Sequence, residues 1–307
     1  MKRAFVFPGQ GAQYVGMGKD FFPLAKEVFQ EADDVLSQGL SRLIFEGLEN
    51  ELTKTKNSQT AIFVVSMAML HVLQKQLPDV VPSVVAGLSL GEYTALCASG
   101  RLSFKETLLL VQKRAQFMNE ACEKVPGTMA VVLGLDEKTV QGAVHNIPEV
   151  WVANYNCPGQ IVISGTEAGV NAGTESLKAA GAKRVLPLQV HGAFHSGLMQ
   201  SAQDALAPFI QKANFRDSTV ELVMNVPGNF VVSDDIRKNL ISQVTNSVRW
   251  EQGIRAIETK GIDLYLEIGP GKTLSGMNKK IGCKAPTLSL EKLSDLDVIA
   301  KGISCSC

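Results

Sequence analysis

The sequence predicts an α/β protein in two lobes, and three observations predict it. The chain has 307 residues, enough for a sizeable core and more than one compact body. Residues 84–98 run from a short apolar strand through Gly-x-Ser-x-Gly into a helix, the context of a nucleophile elbow. Residues 128–190 then change rhythm to strand, helix, strand, strand, helix, strand, the βαββαβ order of a ferredoxin-like unit. The expected fold is a hydrolase-like main lobe with a parallel sheet and nucleophile elbow over 1–125 and 192–307. Into it is inserted a ferredoxin-like α+β small lobe over 126–191, opened by Pro126-Gly127 and closed by His191-Gly192.

Each element has a local reason. Residues 4–7 are apolar and form a first strand, which enters the tight loop Pro8-Gly9-Gln10-Gly11-Ala12-Gln13. Two glycines there bracket Gln10 and let backbone N–H groups approach a neighbour closely. Residues 24–36 form an amphipathic helix with Val28, Ala32 and Val35 on one face. Residues 58–77 form a longer helix, apolar nearly all round and so buried, and Pro78 ends it. After the elbow and its helix over 92–98, Ser103 and Glu106 form a capping-box pattern that starts a helix running to about residue 121. In the small lobe the strands are 128–133, 150–153, 160–163 and 184–190. The helices are 137–145 and 167–180, and 154–159 connects the middle strands. The main lobe resumes with a loop at 191–196, a helix to 212, a strand at 220–223, helices over 234–245 and 250–260, and a strand at 264–268. That strand enters Gly269-Pro270-Gly271-Lys272-Thr273. A phosphate loop needs glycine five residues before Gly271, and Leu266 stands there.

Composition excludes several classes of function. Lys+Arg and Asp+Glu each number 30, so the formal net charge is zero and no nucleic-acid footprint is expected. Six cysteines, at 97, 122, 157, 283, 305 and 307, show no zinc-finger spacing and suggest no disulfide framework. Cys305-Ser306-Cys307 is expected to be an unstructured tail. The basic N-terminus leads into a strand too short for a signal-peptide core, and the longest apolar stretch, 61–73, is interrupted by Ser66 and His71, short of a membrane span. A cytoplasmic protein is expected, with no membrane partner.

Three positions carry chemistry. Ser89 sits on the sharp turn, where glycines two residues to either side make room for a strained backbone and the following helix presents its positive end. Arg114 has Leu110, Val111, Phe117 and Met118 as neighbours at helical spacing, so it lies on the inward stripe. A buried arginine requires an anion or a set of acceptors: a ligand's, or a core carboxylate's. A serine nucleophile also needs a base, and there are four histidines. His71 lies mid-helix and reads as packing or half-exposed. His145 reads as a helix C-cap. His191 and His195 share the loop that re-enters the main lobe, and the residues alone do not choose between them.

Four motifs in this order, Phe7-Pro8-Gly9-Gln10-Gly11-Ala12-Gln13, Gly87-Leu88-Ser89-Leu90-Gly91-Glu92-Tyr93, Gly192-Ala193-Phe194-His195-Ser196 and Glu267-Ile268-Gly269-Pro270-Gly271, carry a resemblance. Over essentially the whole chain the sequence resembles the malonyl-CoA:acyl carrier protein transacylases of fatty-acid synthesis and the acyltransferase domains of polyketide synthases. The resemblance implies that Ser89 is the acylated nucleophile and His195 its general base, oriented by the backbone carbonyl of Gln243 in place of an aspartate. It implies an oxyanion hole from the backbone N–H groups of Gln10 and Leu90. Arg114 would hold the malonyl carboxylate, Phe194 would crowd the acyl α-carbon, and Asn156 would line the substrate cleft. Two departures stand out. Leu88 replaces a usual histidine, removing a polar group near the thioester. Ser247 replaces a usual proline, which implies a less rigid loop after Gln243.

The implied reaction is ping-pong: Ser89 takes the malonyl group from malonyl-CoA, and the phosphopantetheine thiol of acyl carrier protein takes it from Ser89. No metal or bound cofactor is implied, CoA thioester being a substrate, and a monomer is expected. An α/β-hydrolase is the first rival, and it lacks here the His-Gly-Gly type oxyanion loop. A catalytically silent acyl-binding scaffold is the second, and the presence of both Ser89 and His195 speaks against it.

Overall fold

The computed structural model describes residues 1–190 and 192–304. It is a mixed α/β structure with two sheets. By its internal contacts the chain divides into two compact units. The first is Met1–Ala115, Ala213–Val223 and Ile257–Cys307; the second is Gln116–Lys212 and Met224–Ala256. His191 and residues 305–307, including the expected cysteine-bearing tail, lie outside the described residues.

In the first unit five strands run parallel in the order Thr287–Leu290, Leu264–Ile268, Arg3–Phe7, Val84–Gly87, Glu221–Met224. The N-terminal strand is central, and its residues Ala4 to Phe7 are fully buried, as a strand covered on both faces must be. Phe7 is in register with Gly87, and Val6 with Glu267. The loops that follow these three strands therefore leave the sheet at one level. They are the Pro8–Gln13 loop, the elbow and the Gly269–Gly271 turn. The carboxyl edge of a parallel sheet is where such folds build sites. The helix Thr55–Gln76 is buried over most of its length, matching its apolar sequence.

Glu267 explains why an acid stands in an apolar strand. Its carboxylate accepts the N–H groups of Leu274 and Ser275, each at 2.9 Å, and the Ser289 hydroxyl at 3.1 Å. It thereby satisfies the open N-terminus of the helix Thr273–Ile281. Burial pushes this carboxyl upward, against the opposing pull of those three donors. The turn it holds packs on the Pro8 loop: a side chain at Gly269, φ 144°, would meet Pro8 Cγ at 2.6 Å.

In the second unit the sheet order is Arg184–Pro187, Thr128–Leu133, Gln160–Gly165, Val150–Cys157, Val248–Arg249. The first three pairings are antiparallel and the last is parallel. The helices Glu137–Val144 and Glu167–Ala179 contribute Val140, Val144, Val170 and Leu177 to its core, against Val132, Val150 and Ile163.

Several boundaries differ from expectation. Residues 154–157, read as connection, continue the strand Val150–Cys157. Register shifts between Val152 and Asn154 and between Tyr155 and Cys157 break the alternation that would have marked it. The final small-lobe strand stops at Pro187, and the helix expected over 234–245 is Ile236–Ser242 after one 3-10 turn. The short helices Leu40–Glu46 and Glu49–Thr53 were not legible, each being too short to show a period.

Candidate functional site

The strand Val84–Gly87 turns through Leu88, Ser89 and Leu90 into the helix Gly91–Ala98. Ser89 has φ 53°, the left-handed region that a non-glycine residue enters only under constraint. The glycines supply that constraint. A methyl on Gly87 would collide with the Gly91 carbonyl, one on Gly91 with the Phe7 carbonyl, and one on Gly9 with the Leu88 carbonyl. Elbow and Pro8–Gln13 loop are thus packed backbone against backbone, and the Leu88 N–H donates to Phe7 O at 3.0 Å. Among the described residues no acceptor takes the backbone N–H of Gln10 or of Leu90. Both remain available for an incoming oxygen.

Arg114 lies on the helix Phe104–Lys124, which opens with the predicted capping box: Glu106 N–H donates to Ser103 Oγ at 3.3 Å, and Ser103 N–H to Glu106 Oε2 at 3.4 Å. As expected it is inward-facing, with 1% exposure. Its Nη2 donates to Ser89 Oγ at 3.0 Å and its Nη1 to Gln59 Oε1 at 2.5 Å. The guanidinium lies 5.5 Å from the Tyr93 ring centre. Burial lowers its proton affinity, and the neighbouring Tyr93 and Glu92 act the other way. Glu92 is itself fully buried. A cation is therefore held within hydrogen-bonding reach of the elbow serine.

Gln59 was not singled out from sequence. A signal existed: a polar residue in a helix apolar nearly all round must be buried and must find partners. It is fully buried, and its Nε2 also donates to Gln10 Oε1 at 3.4 Å.

The second unit holds the remaining residues. His195 has φ 58° and 3% exposure. Its Nδ1 lies 2.8 Å from Gln243 O. A carbonyl can only accept, so Nδ1 carries the proton and Nε2 presents its lone pair. Ser196 fixes the turn: its hydroxyl donates to Ala193 O at 2.6 Å and accepts the Leu198 N–H at 3.2 Å. Phe194, beside His195, is buried. Asn156 is 6% exposed on the strand Val150–Cys157, and its Oδ1 has no partner among the described residues. The loop after Gln243, expected to be less rigid, is tied down by side-chain hydrogen bonds. Ser247 Oγ donates to Val152 O at 2.5 Å, Thr245 Oγ1 to Gln203 Oε1 at 2.6 Å, and Asn246 Nδ2 to Ser242 O at 2.8 Å. Ser247 thereby bonds the loop to the neighbouring strand.

His71 and His145 lie elsewhere. His71 Nε2 pairs with Glu27 Oε1 at 2.8 Å on the surface, and His145 is exposed beyond the helix Glu137–Val144. Burial pushes the Cys97 thiol up to about 12 and the Cys122 thiol up to about 11, so neither is a nucleophile near neutrality. Among the described residues no three His, Cys, Asp or Glu side chains cluster as a metal site requires, and no helix is long and apolar enough to cross a membrane.

An elbow serine beside a buried arginine, on a sheet of this order, accords with the family comparison. The acyl transferase domain model matches residues 4–282, and the chain belongs to that family. Among individual relatives, it is 43% identical over 297 residues to the malonyl CoA-acyl carrier protein transacylase of Bacillus subtilis (strain 168), covering 94% of this chain and 93% of the relative. The crystal structure of malonyl CoA-acyl carrier protein transacylase from Clostridium perfringens is similar with a TM-score of 0.95 at 37% identity, covering 100% of this chain and 98% of that one. A structure of a type II PKS acyl-carrier protein in complex with its malonyl-transacylase is similar with a TM-score of 0.94 at 37% identity, covering 98% and 99%.

Proposed function

We propose that this chain transfers the malonyl group of malonyl-CoA to the phosphopantetheine thiol of acyl carrier protein through a malonyl ester on Ser89, supplying fatty-acid synthesis. One observation carries the reading: the buried Arg114 guanidinium donates to Ser89 Oγ at 3.0 Å. A fixed cation beside the nucleophile suits an acyl group that ends in a carboxylate. The planar fork of arginine grips that carboxylate through two parallel hydrogen bonds.

Ser89 Oγ attacks the thioester carbonyl as His195 Nε2 takes its proton. The tetrahedral oxyanion receives the N–H groups of Gln10 and Leu90, each such donor being worth roughly 10²–10³ in rate. Collapse expels the CoA sulfur, which leaves with the proton held by His195. The carrier-protein thiol then gives its proton to His195 and attacks the ester carbonyl. A second oxyanion collapses, returning the proton to Ser89. The Gln243 carbonyl stabilises the imidazolium that forms in each half, the role an aspartate has elsewhere. Phe194 crowds the acyl α-carbon and favours an unbranched chain, and Asn156 offers its unpartnered Oδ1 to the substrate. The mechanism uses no metal or bound cofactor. The parallel sheet with its elbow supports a hydrolase-like main lobe. The strand order of the second sheet, with two helices on it, supports a ferredoxin-like small lobe. We read the protein as a cytoplasmic monomer.

Intact-mass measurement tests this. Malonyl-CoA should add one malonyl increment, which carrier protein removes. Ser89→Ala should show none, and His195→Ala should slow acylation by roughly 10²–10⁴. A malonyl increment that persists in Ser89→Ala would sink the assignment.

A further inference from the structure

We propose that Gln59 is a positioning residue that couples recognition of the acyl carboxylate at Arg114 to the oxyanion donor at Gln10. The inference rests on the functional reading above. It starts from a chain of three side-chain hydrogen bonds: Arg114 Nη1 donates to Gln59 Oε1 at 2.5 Å, Gln59 Nε2 to Gln10 Oε1 at 3.4 Å, and Gln10 Nε2 to Thr55 Oγ1 at 3.3 Å.

The chain has a direction, and Arg114 sets it. A guanidinium has donors and no acceptor. Gln59 must therefore turn its oxygen to Arg114, which leaves its NH₂ for Gln10. Gln10 must in turn present its oxygen to Gln59, which leaves its own NH₂ for the Thr55 hydroxyl. Reversing either amide sets like groups against each other. Gln59 is fully buried, so water does not substitute for a missing partner cheaply.

The far end of the chain is where coupling matters. Gln10 lies in the loop that abuts the elbow, where a side chain on Gly9 would collide with the Leu88 carbonyl. Its backbone N–H has no acceptor among the described residues. The side chain of Gln10 is thus the handle by which that N–H is aimed, and Gln59 holds the handle. When a malonyl carboxylate engages the fork of Arg114, the guanidinium adjusts, and the Gln59 and Gln10 amides move with it. An acyl group without the carboxylate leaves the oxyanion donor in its resting aim. Discrimination then acts on the chemical step as well as on binding.

The test is a double-mutant cycle on single-turnover acylation of Ser89 by malonyl-CoA, using Arg114→Lys and Gln10→Met. Gln10→Met keeps the backbone N–H and removes only the handle. The ratio of rates (unsubstituted times double, over the product of the singles) should depart from one by about fivefold or more. It should return to within about twofold of one in a Gln59→Met background. Gln59→Leu offers Gln10 neither donor nor acceptor, so it should sever the coupling too, and it provides a second background if Gln59→Met melts early. With acetyl-CoA the ratio should lie closer to one than with malonyl-CoA, because the carboxylate's pull on Arg114 is missing and only the resting chain contributes. A ratio near one with malonyl-CoA, in a protein that malonylates Ser89 normally, overturns the coupling alone, and so does a ratio unchanged by both Gln59 substitutions. Failure of the unsubstituted protein to malonylate Ser89 overturns the functional reading, and this proposal with it.

Discussion

Replacing Arg114 by alanine separates substrate recognition from core stability, because one changes selectivity and the other lowers all rates together. Arg114 is 1% exposed and donates to Ser89 Oγ and Gln59 Oε1. Without it, a malonyl carboxylate in the site is buried and unpartnered, costing about 3–5 kcal/mol by analogy with broken buried pairs. At 1.36 kcal/mol per tenfold this is roughly two to four orders of magnitude in malonyl transfer. Stability is affected as well. Gln59 Oε1 loses its donor, about 1–3 kcal/mol, a large buried side chain leaves a cavity, and the buried Glu92 loses a neighbouring cation, while removal of a desolvated guanidinium offsets part of this. The melting temperature should fall, and the ratio of malonyl to acetyl rates separates the two effects. Acetyl transfer to Ser89 should persist or rise, since an acetyl group has no carboxylate and Ser89 Oγ no longer accepts from the cation. Arg114→Lys should recover only part of the malonyl rate, lacking the fork. The assay is single-turnover acylation with malonyl-CoA and acetyl-CoA beside a thermal melt. Malonyl and acetyl rates falling in parallel, with a strongly depressed melting temperature, would refute the reasoning and make Arg114 a core ion.

Four further outcomes are expected. Gly87→Ala sets a methyl against the Gly91 carbonyl and should destabilise by more than about 3 kcal/mol while abolishing acylation; a native melting temperature would contradict the elbow packing. Glu267→Gln turns one acceptor of the helix-capping carboxylate into a donor facing an N–H or O–H donor and should cost about 1–3 kcal/mol, read as a lower melting temperature. The Glu27 carboxyl is held down to about 2, first by Lys75 and then by its own backbone and His71. A depressed folded-state value stabilises above the unfolded value of 4.5 and is lost as pH falls towards 2. The small stability advantage over Glu27→Gln should therefore shrink across that window and in high salt, and an advantage that grows on acidification is the opposing result. Finally, mild alkylation should leave activity intact, because the Cys97 and Cys122 thiols are buried and pushed well above neutrality; loss of activity with the circular dichroism unchanged would show that a cysteine is needed.

By itself the sequence determined what depends on neighbours along the chain. The elbow was legible because Gly87 and Gly91 must both lack side chains for a serine to turn so sharply, a constraint contained in five residues. The Ser103–Glu106 capping box is likewise local and formed as written, and the strands Thr128–Leu133 and Leu264–Ile268 match their apolar runs residue for residue. Helical spacing also told that Arg114 faces inward. It could not tell what Arg114 meets there, since Gln59 lies 55 residues away on another helix and Ser89 lies 25 away on the elbow. The residues alone likewise left His191 and His195 open, and resemblance favoured His195. The Gln243 carbonyl on His195 Nδ1 is a contact across 48 residues that no local pattern encodes. The acid of the strand Leu264–Ile268 had no local explanation until the helix it caps was in place. The parallel register that brings Phe7 beside Gly87 is of the same kind. Periodicity reports which side of an element is buried, because burial follows the backbone repeat. The identity of the partner there depends on how distant elements pack, and only the tertiary structure decided that.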